Sequence, residues 1–136
     1  MALPALGTTH SLKELQHPQD NPDVTVNDMR DQLGAIAGLA KLTKNLTSDA
    51  DYTISTAAGT REDLYGLVKI TDTGAVLTTG RNIIVPTRQQ VRFVENATAQ
   101  TLTFKTAAGT GEALTTGQKG WLECDGTNVV KLISGW

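Results

Sequence analysis

The side chains of this 136-residue chain that could do chemistry are few, and their spacing gathers none of them into a motif. His10 and His17 stand near the N-terminus, and the lone cysteine, Cys124, lies more than a hundred residues further on. A zinc site needs several Cys or His ligands at close spacing, so both histidines read as solvated. Cys124 has no partner for an internal disulfide. No Cys-His pair and no Gly-x-Ser-x-Gly sequence supplies an activated nucleophile. The carboxylates from Asp49 onward (Asp49, Asp51, Glu62, Asp63, Asp72, Glu95, Glu112, Glu123, Asp125) are scattered, and most border turns, where they read as solvated. Only folding could pair two of them for glycoside hydrolysis. Thr106 to Gly111 is small and Gly-bearing but lacks the Lys-Ser/Thr and helix of a phosphate loop. The expectation is a non-enzyme with no catalytic residue, no cofactor and no metal. Trp121 and Tyr65 remain as aromatic surfaces on which a sugar could stack, although the preferred reading of Trp121 is a core or interface residue.

The elements that would carry these residues change twice along the chain. Residues 1–24 hold three of the four prolines (Pro4, Pro18, Pro22) and both histidines. Such a segment cannot bury enough apolar surface to offset its ordering entropy. It reads as an extended anchoring arm ordered by a partner, with Leu3, Leu6, Leu12 and Leu15 as apolar pegs. Residues 25–48 read as the one helix. Thr25-Val26-Asn27-Asp28 offers N-terminal capping, and Met29, Leu33, Ile36 and Ala40 recur at spacings of four, three and four. A second stripe, Leu39, Leu42 and Leu46, continues it. Gly34 and Gly38 each weaken such a helix by roughly 1 kcal/mol, so it wants a partner. That partner is either its own β body or, the preferred reading, sister copies around a three-fold axis, with Met29, Leu33, Ile36 and Ala40 as the assembly interface.

Residues 49–136 read as all-β. Thr- and Val-rich runs at 52–56, 64–71, 81–85, 89–95, 101–106, 120–124 and 129–134 are separated by Gly, Asn or Asp turns. Val91 and Phe93 share one face with Arg92 opposite, and Leu102 and Phe104 share another. Phe93, Leu102, Phe104, Leu122 and Leu132 are the expected core. Asp125-Gly126-Thr127-Asn128 signals a tight hairpin. The fold class is mainly β: a small sandwich or barrel-like body preceded by one helix and an extended arm. Thr56-Ala57-Ala58-Gly59-Thr60 returns as Thr106-Ala107-Ala108-Gly109-Thr110, fifty residues on, and Leu77-Thr78-Thr79-Gly80 returns as Leu114-Thr115-Thr116-Gly117 at a different offset. The two offsets disagree, which favours reused turn chemistry over a tandem repeat.

Composition narrows the partners. The net charge is −2, 39% of residues are hydrophobic and 4% aromatic. No Lys/Arg cluster offers to displace counterions from phosphates, so no nucleic-acid partner is expected. No apolar run approaches the roughly 18 residues of a membrane span, so no membrane insertion is expected. Residues 1–19 do not read as a secretory leader.

Two sets of residues carry a resemblance. Asn21-Pro22-Asp23-Val24-Thr25-Val26-Asn27, followed by Asn45-Leu46-Thr47, resembles the opening of a family of phage tail-associated structural proteins, also found in prophages and gene-transfer-agent-like clusters. Arg81 to Pro86, Val94 to Thr98, Leu102 to Gly111 and Cys124 to Val130 resemble a β module of phage tail fibre and virion structural proteins. The resemblance implies a virion location and a homotrimeric fibre, connector or decoration part. Residues 1–24 would dock it on other phage structural proteins of the capsid, neck or tail. It leaves open a host-attachment role on surface polysaccharide. It implies no catalytic residue, and the expectation is a short part without the long receptor-binding extension usual in the family.

Overall fold

The computed structural model describes residues 40–132, and these build nine strands in two sheets. The strands are β1 (Lys41–Asn45), β2 (Tyr52–Thr53), β3 (Leu67–Thr71), β4 (Arg81–Ile84), β5 (Gln90–Ala97), β6 (Leu102–Lys105), β7 (Gly111–Leu114), β8 (Lys119–Cys124) and β9 (Val129–Lys131). One short 3-10 turn, Glu62–Leu64, interrupts the path from β2 to β3. The long sheet runs β1-β3-β5-β8-β9 and the short sheet β2-β4-β6-β7.

Through the first six strands the chain alternates between the two sheets, and strands that neighbour each other within a sheet are parallel. The chain therefore winds as a coil. In the long sheet Lys41 lies beside Leu67 and Leu67 beside Phe93, a step of 26 residues each time. In the short sheet Thr53 pairs with Ile84 and Ile84 with Lys105, steps of 31 and 21. The winding ends in an antiparallel cap, where β7 turns back on β6, β8 on β5 and β9 on β8. The cap ties the two sheets together where the Val129 amide donates to the Thr110 carbonyl at 3.0 Å.

A single hydrophobic cluster lies between the sheets. Val68, Ile70, Val94, Leu122 and Val129 come from the long sheet, and Ile83, Leu102, Phe104 and Leu114 from the short one. The body is mainly strand, two mixed sheets around one core, which is the small β body expected from the alternating, Thr-rich runs. Leu102, Phe104 and Leu122 are buried as expected. Phe93 and Leu132 are not. In β5 the inward positions are Arg92, Val94 and Asn96, while Val91 and Phe93 face outward. Leu132 is 48% exposed, because Val129 is the residue of its strand that turns inward. Alternation gave the two faces of β5 but not which one met the core. Apolarity chose Phe93, and the buried face instead took an arginine that finds backbone and side-chain acceptors.

The expected helix over 25–48 is corrected where it can be seen: residues 41–45 are a strand. Leu42 and Leu46, four apart, fit one turn of helix, but also the period of two of a strand. Leu42, Lys44 and Leu46 turn inward while Lys41, Thr43 and Asn45 face out. Pairing along all five residues of β3 decides between the periods. The rest of that segment, with Met29, Leu33 and Ile36, lies outside the described residues, as does the arm at 1–24. Ala40 is described and half-buried, immediately before β1.

The fifty-residue echo serves two different structures. Gly59 sits at a φ of 86° in the turn after Thr56, and Glu62 beyond it is buried in the 3-10 turn. Gly109 is needed for space: a Cβ there would lie 1.9 Å from the Thr127 carbonyl oxygen. Glu112 beyond it is in β7.

Candidate functional site

Two carboxylates expected to be solvated are instead buried side by side. Glu62 and Asp63 are 5% and 1% exposed, because the 3-10 turn folds back under the first coil. The Asp63 amide donates to the Ser55 carbonyl at 3.1 Å, which pins that turn. Their side chains go to different partners. Glu62 accepts from the Lys44 ammonium at 3.0 Å, from the Tyr52 hydroxyl at 2.5 Å and from the Ser55 amide at 3.0 Å. Lys44 also sits 4.6 Å from the Tyr52 ring centre, a cation–π contact. Asp63 holds the Arg61 guanidinium in a fork at 2.8 and 2.9 Å, with Arg88 at 3.2 Å.

These partners fix the charge states. Burial pushes Glu62 up, but the hydrogen bonds from Tyr52, Ser55 and Lys44 outweigh it and hold the group below its ordinary value. The Arg61 hydrogen bonds, against burial, hold Asp63 low as well. A general acid needs a raised pKa and a general base needs a free lone pair facing substrate. Both carboxylates are depressed and already coordinated by cations and amides. Their visible work is to lock the 3-10 turn to β1, β2 and the loop after β4.

Arg92 completes this cluster from β5. Its Nη2 donates to the Asp63 carbonyl at 3.0 Å and to Gln90 Oε1 at 2.6 Å. Its Nε is buried without a hydrogen-bond partner. Burial first, then the Arg88 charge, pulls its pKa from its ordinary value down to about 10. With Gln90 and Cys124 it lines a small apolar cavity of about 10 Å³ between the sheets. Cys124 is buried there and points its thiol at the Pro86 carbonyl, 3.6 Å away.

The other turn-side carboxylates do structural work. Asp72 accepts from the Val76 and Leu77 amides at 2.8 and 3.0 Å, closing a turn in which Ala75 takes a φ of 49°. Asp125 accepts from the Thr127 and Asn128 amides, building the expected hairpin. Asp49 accepts from Thr78 and Arg81, and Asp51 from both amides of Asn82. Among the described residues no group of three or more His, Cys, Asp and Glu is placed to hold a metal ion. An open groove of about 200 Å³ runs past Thr53, Thr56, Ile84, Pro86, Thr87 and Ala107, with no titratable side chain in its lining.

The feature of the surface that sequence reasoning missed is the outer face of the long sheet. Register places Lys41, Leu67, Phe93 and Trp121 in one row across four strands. Leu132 extends the row, since its amide donates to the Trp121 carbonyl at 3.1 Å. A flanking row holds Val91, Glu123 and Val130. Trp121 and Val91 are each 41% exposed and Val130 37%. Trp121 packs edge-on against Phe93, ring centres 5.3 Å apart and planes at 67°. The row on the other side is charged: Glu95 lies 3.2, 3.6 and 3.8 Å from Lys69, Lys119 and Lys41. Of the two residues singled out for ligand contact, Trp121 is on this face, whereas Tyr65 packs against the core cluster. They do not form one platform. The missed signal was the pairing of an outward Phe93 with an outward Trp121, which only the register reveals.

No family model, no curated protein and no solved structure matches this chain.

Proposed function

We propose that the chain is a structural component of a bacteriophage particle: a short trimeric fibre, connector or decoration module attached through residues 1–24. One observation carries the reading furthest. The segments that resemble phage β modules are those that interlock in the fold. Arg81 to Pro86 holds β4, and Val94 to Thr98 ends β5. There the buried Asn96 side chain donates to the Gln100 and Leu114 carbonyls at 2.8 Å each, and its Oδ1 accepts from Thr98. Leu102 to Gly111 holds β6 and the turn whose Thr106 hydroxyl donates to the Thr127 carbonyl, in the hairpin of the last resembling segment. A repeat of sequence without a partner network would not need these buried polar ties.

The coil also suits a particle part. Many of its polar side chains are used in turn closure and cross-strand ties, and Asp49, Asp51, Glu62, Asp63, Asp72, Glu95 and Asp125 are engaged by cations, amides or hydroxyls. At the N-terminal end of the coil β1 and β2 are edge strands among the described residues. Symmetric association covers such edges, which supports the trimer.

Particles purified from cultures of the source phage should contain peptides of this chain in a fixed ratio to the capsid protein, in multiples of three. Deleting residues 1–24 should remove it from particles. A chain absent from purified particles overturns the proposal. A second reading, an adhesin module for host polysaccharide, is favoured by the exposure of Trp121. Saturable binding of host polysaccharide, lost in Trp121→Ala, would promote it.

A further inference from the structure

We propose that the outer face of the long sheet is the surface on which copies of this chain meet, set around a three-fold axis that runs across the strands, with Leu67, Phe93, Trp121 and Leu132 turned toward the axis. The proposal rests on the trimeric reading above and supplies its interface from the β body. The face needs a cover. Val91, Trp121, Val130 and Leu132 are each more than a third exposed and adjoin by register, and an exposed apolar patch of this kind marks a contact surface.

The charges choose the occupant. The apolar row separates two unlike flanks. On one side lie Lys69, Glu95 and Lys119, aligned by register. Glu95 is shared there by Lys41, Lys69 and Lys119, three ammonium groups to one carboxylate, so this flank is positive. On the other side lie Val91, Glu123 and Val130, a row with one carboxylate and no cation. The two flanks complement each other, so a second copy of the same face carries what this face lacks. Complementary charge of this kind fixes partner and register.

Symmetry decides how the copies meet. Rotation about an axis along the apolar row keeps every strand at its own level and carries the positive flank of one copy to the negative flank of the next. Lys119 and Glu123 are both on β8, so Lys119 of one copy stands level with Glu123 of the next. Lys119 is 54% exposed, its ammonium within reach of a neighbour. Val91 packs on the lysine stems around Glu95 in the same way, since both residues are on β5. An axis along the strands would instead set the Lys69 and Lys119 rows of all copies at one level, where like charges repel. The face is about 19 Å across its five strands and about 14 Å from Lys119 to Glu123. That is well short of the roughly 800 Å² per partner of a tight interface. The association is therefore concentration-dependent, and its charged flanks count.

The test uses the full chain. Light scattering at high concentration should return three times the 14.5 kDa chain mass. Glu123→Lys, and separately Lys119→Glu, should raise severalfold the concentration at which the trimer half-dissociates, and the two together should bring it back toward the parent value. The buried Cys124 thiol should stay unreactive in each, showing an intact body. Where a variant exposes that thiol, a Cys124→Ala chain carrying Lys119→Cys and Glu123→Cys replaces it. A bismaleimide shorter than the roughly 14 Å between the two positions in one chain should then join copies into closed covalent trimers and nothing larger. A trimer that Glu123→Lys leaves as tight as the parent overturns the inference and leaves the trimeric reading standing on another interface. A chain that is monomeric at every concentration overturns both. A covalent product that stops at two copies overturns the three-fold axis. Saturable polysaccharide binding by the assembled trimer, lost in Trp121→Ala, also overturns the inference, because Trp121 is then open to solvent.

Discussion

Replacing Arg92 by methionine should leave the body as stable as before or make it more stable, although Arg92 is 3% exposed at the centre of a polar cluster. Desolvation, with the nearby Arg88 charge, displaces its pKa from its ordinary value down to about 10. That displacement corresponds to roughly 3 kcal/mol of preference against the charged form. Its Nε is also buried without a partner. Against this stand two hydrogen bonds from the charged Nη2, worth about 1.5 kcal/mol each. Both acceptors keep a donor when Arg92 is removed, because Arg88 Nη2 reaches the Asp63 carbonyl at 2.9 Å and Gln90 Oε1 at 2.7 Å. Methionine is unbranched and adaptable, and would pack against Val85, Val94, Phe104 and Leu122 around the cavity. The expected net effect of Arg92→Met is near zero, with a gain of up to about 1 kcal/mol. Urea denaturation followed by tryptophan fluorescence measures it. Arg92→Ala, which leaves the space open, should be the less stable of the two. A loss above about 2 kcal/mol in the methionine variant would refute the reasoning, since the charge would then contribute more than its burial costs.

Phe104, 1% exposed between the sheets, should cost about 3–5 kcal/mol on replacement by alanine, read as a lower urea midpoint. Gly109→Ala should destabilise by more than about 2 kcal/mol, since its Cβ would strike the Thr127 carbonyl, Thr106 Oγ1 and Asn128 Oδ1 at 1.9, 2.5 and 2.9 Å and separate two loops of the cap. Ala75→Gly should raise stability by up to about 1 kcal/mol, because Ala75 holds a φ of 49° that glycine adopts without strain. Acid should unfold the protein through Glu62 and Asp63. Both are depressed in the folded state, so their contribution is complete above the ordinary carboxylate values of 4.5 and 3.8 and is lost as pH falls through the lower folded values. Asp63→Asn should flatten that acid limb of the stability curve.

Much of the body could be read from the residues, and what could not has physical reasons. Seven of the strands lie where alternation and β-branched residues put them. β7 was missed because Gly-Glu-Ala-Leu has no β-branched residue; it exists because β6 pairs with it. β1 was misread because a spacing of four between Leu42 and Leu46 satisfies two periods at once. The coil itself was hidden. Its 26-residue step is regular in the long sheet, but the loops divide it as 31 and 21 in the short one, so no sequence repeat survives. The echo that does survive, around Gly59 and Gly109, marks turns and not rungs. Among candidate site residues, Trp121 was singled out and is exposed, while Tyr65 packs on the core. Glu62 and Asp63 looked solvated because, Arg61 aside, the groups that enclose them, Lys44 and Tyr52 around Glu62 and Arg88 and Arg92 around Asp63, are distant in sequence.

The proposal that the chain is a particle component is tested most directly by gold-labelled antibodies against the folded body, applied to intact particles. The account predicts gold at one recurrent position on the particle, lost when residues 1–24 are deleted. Unlabelled particles, with the protein recovered free in the lysate, would contradict it.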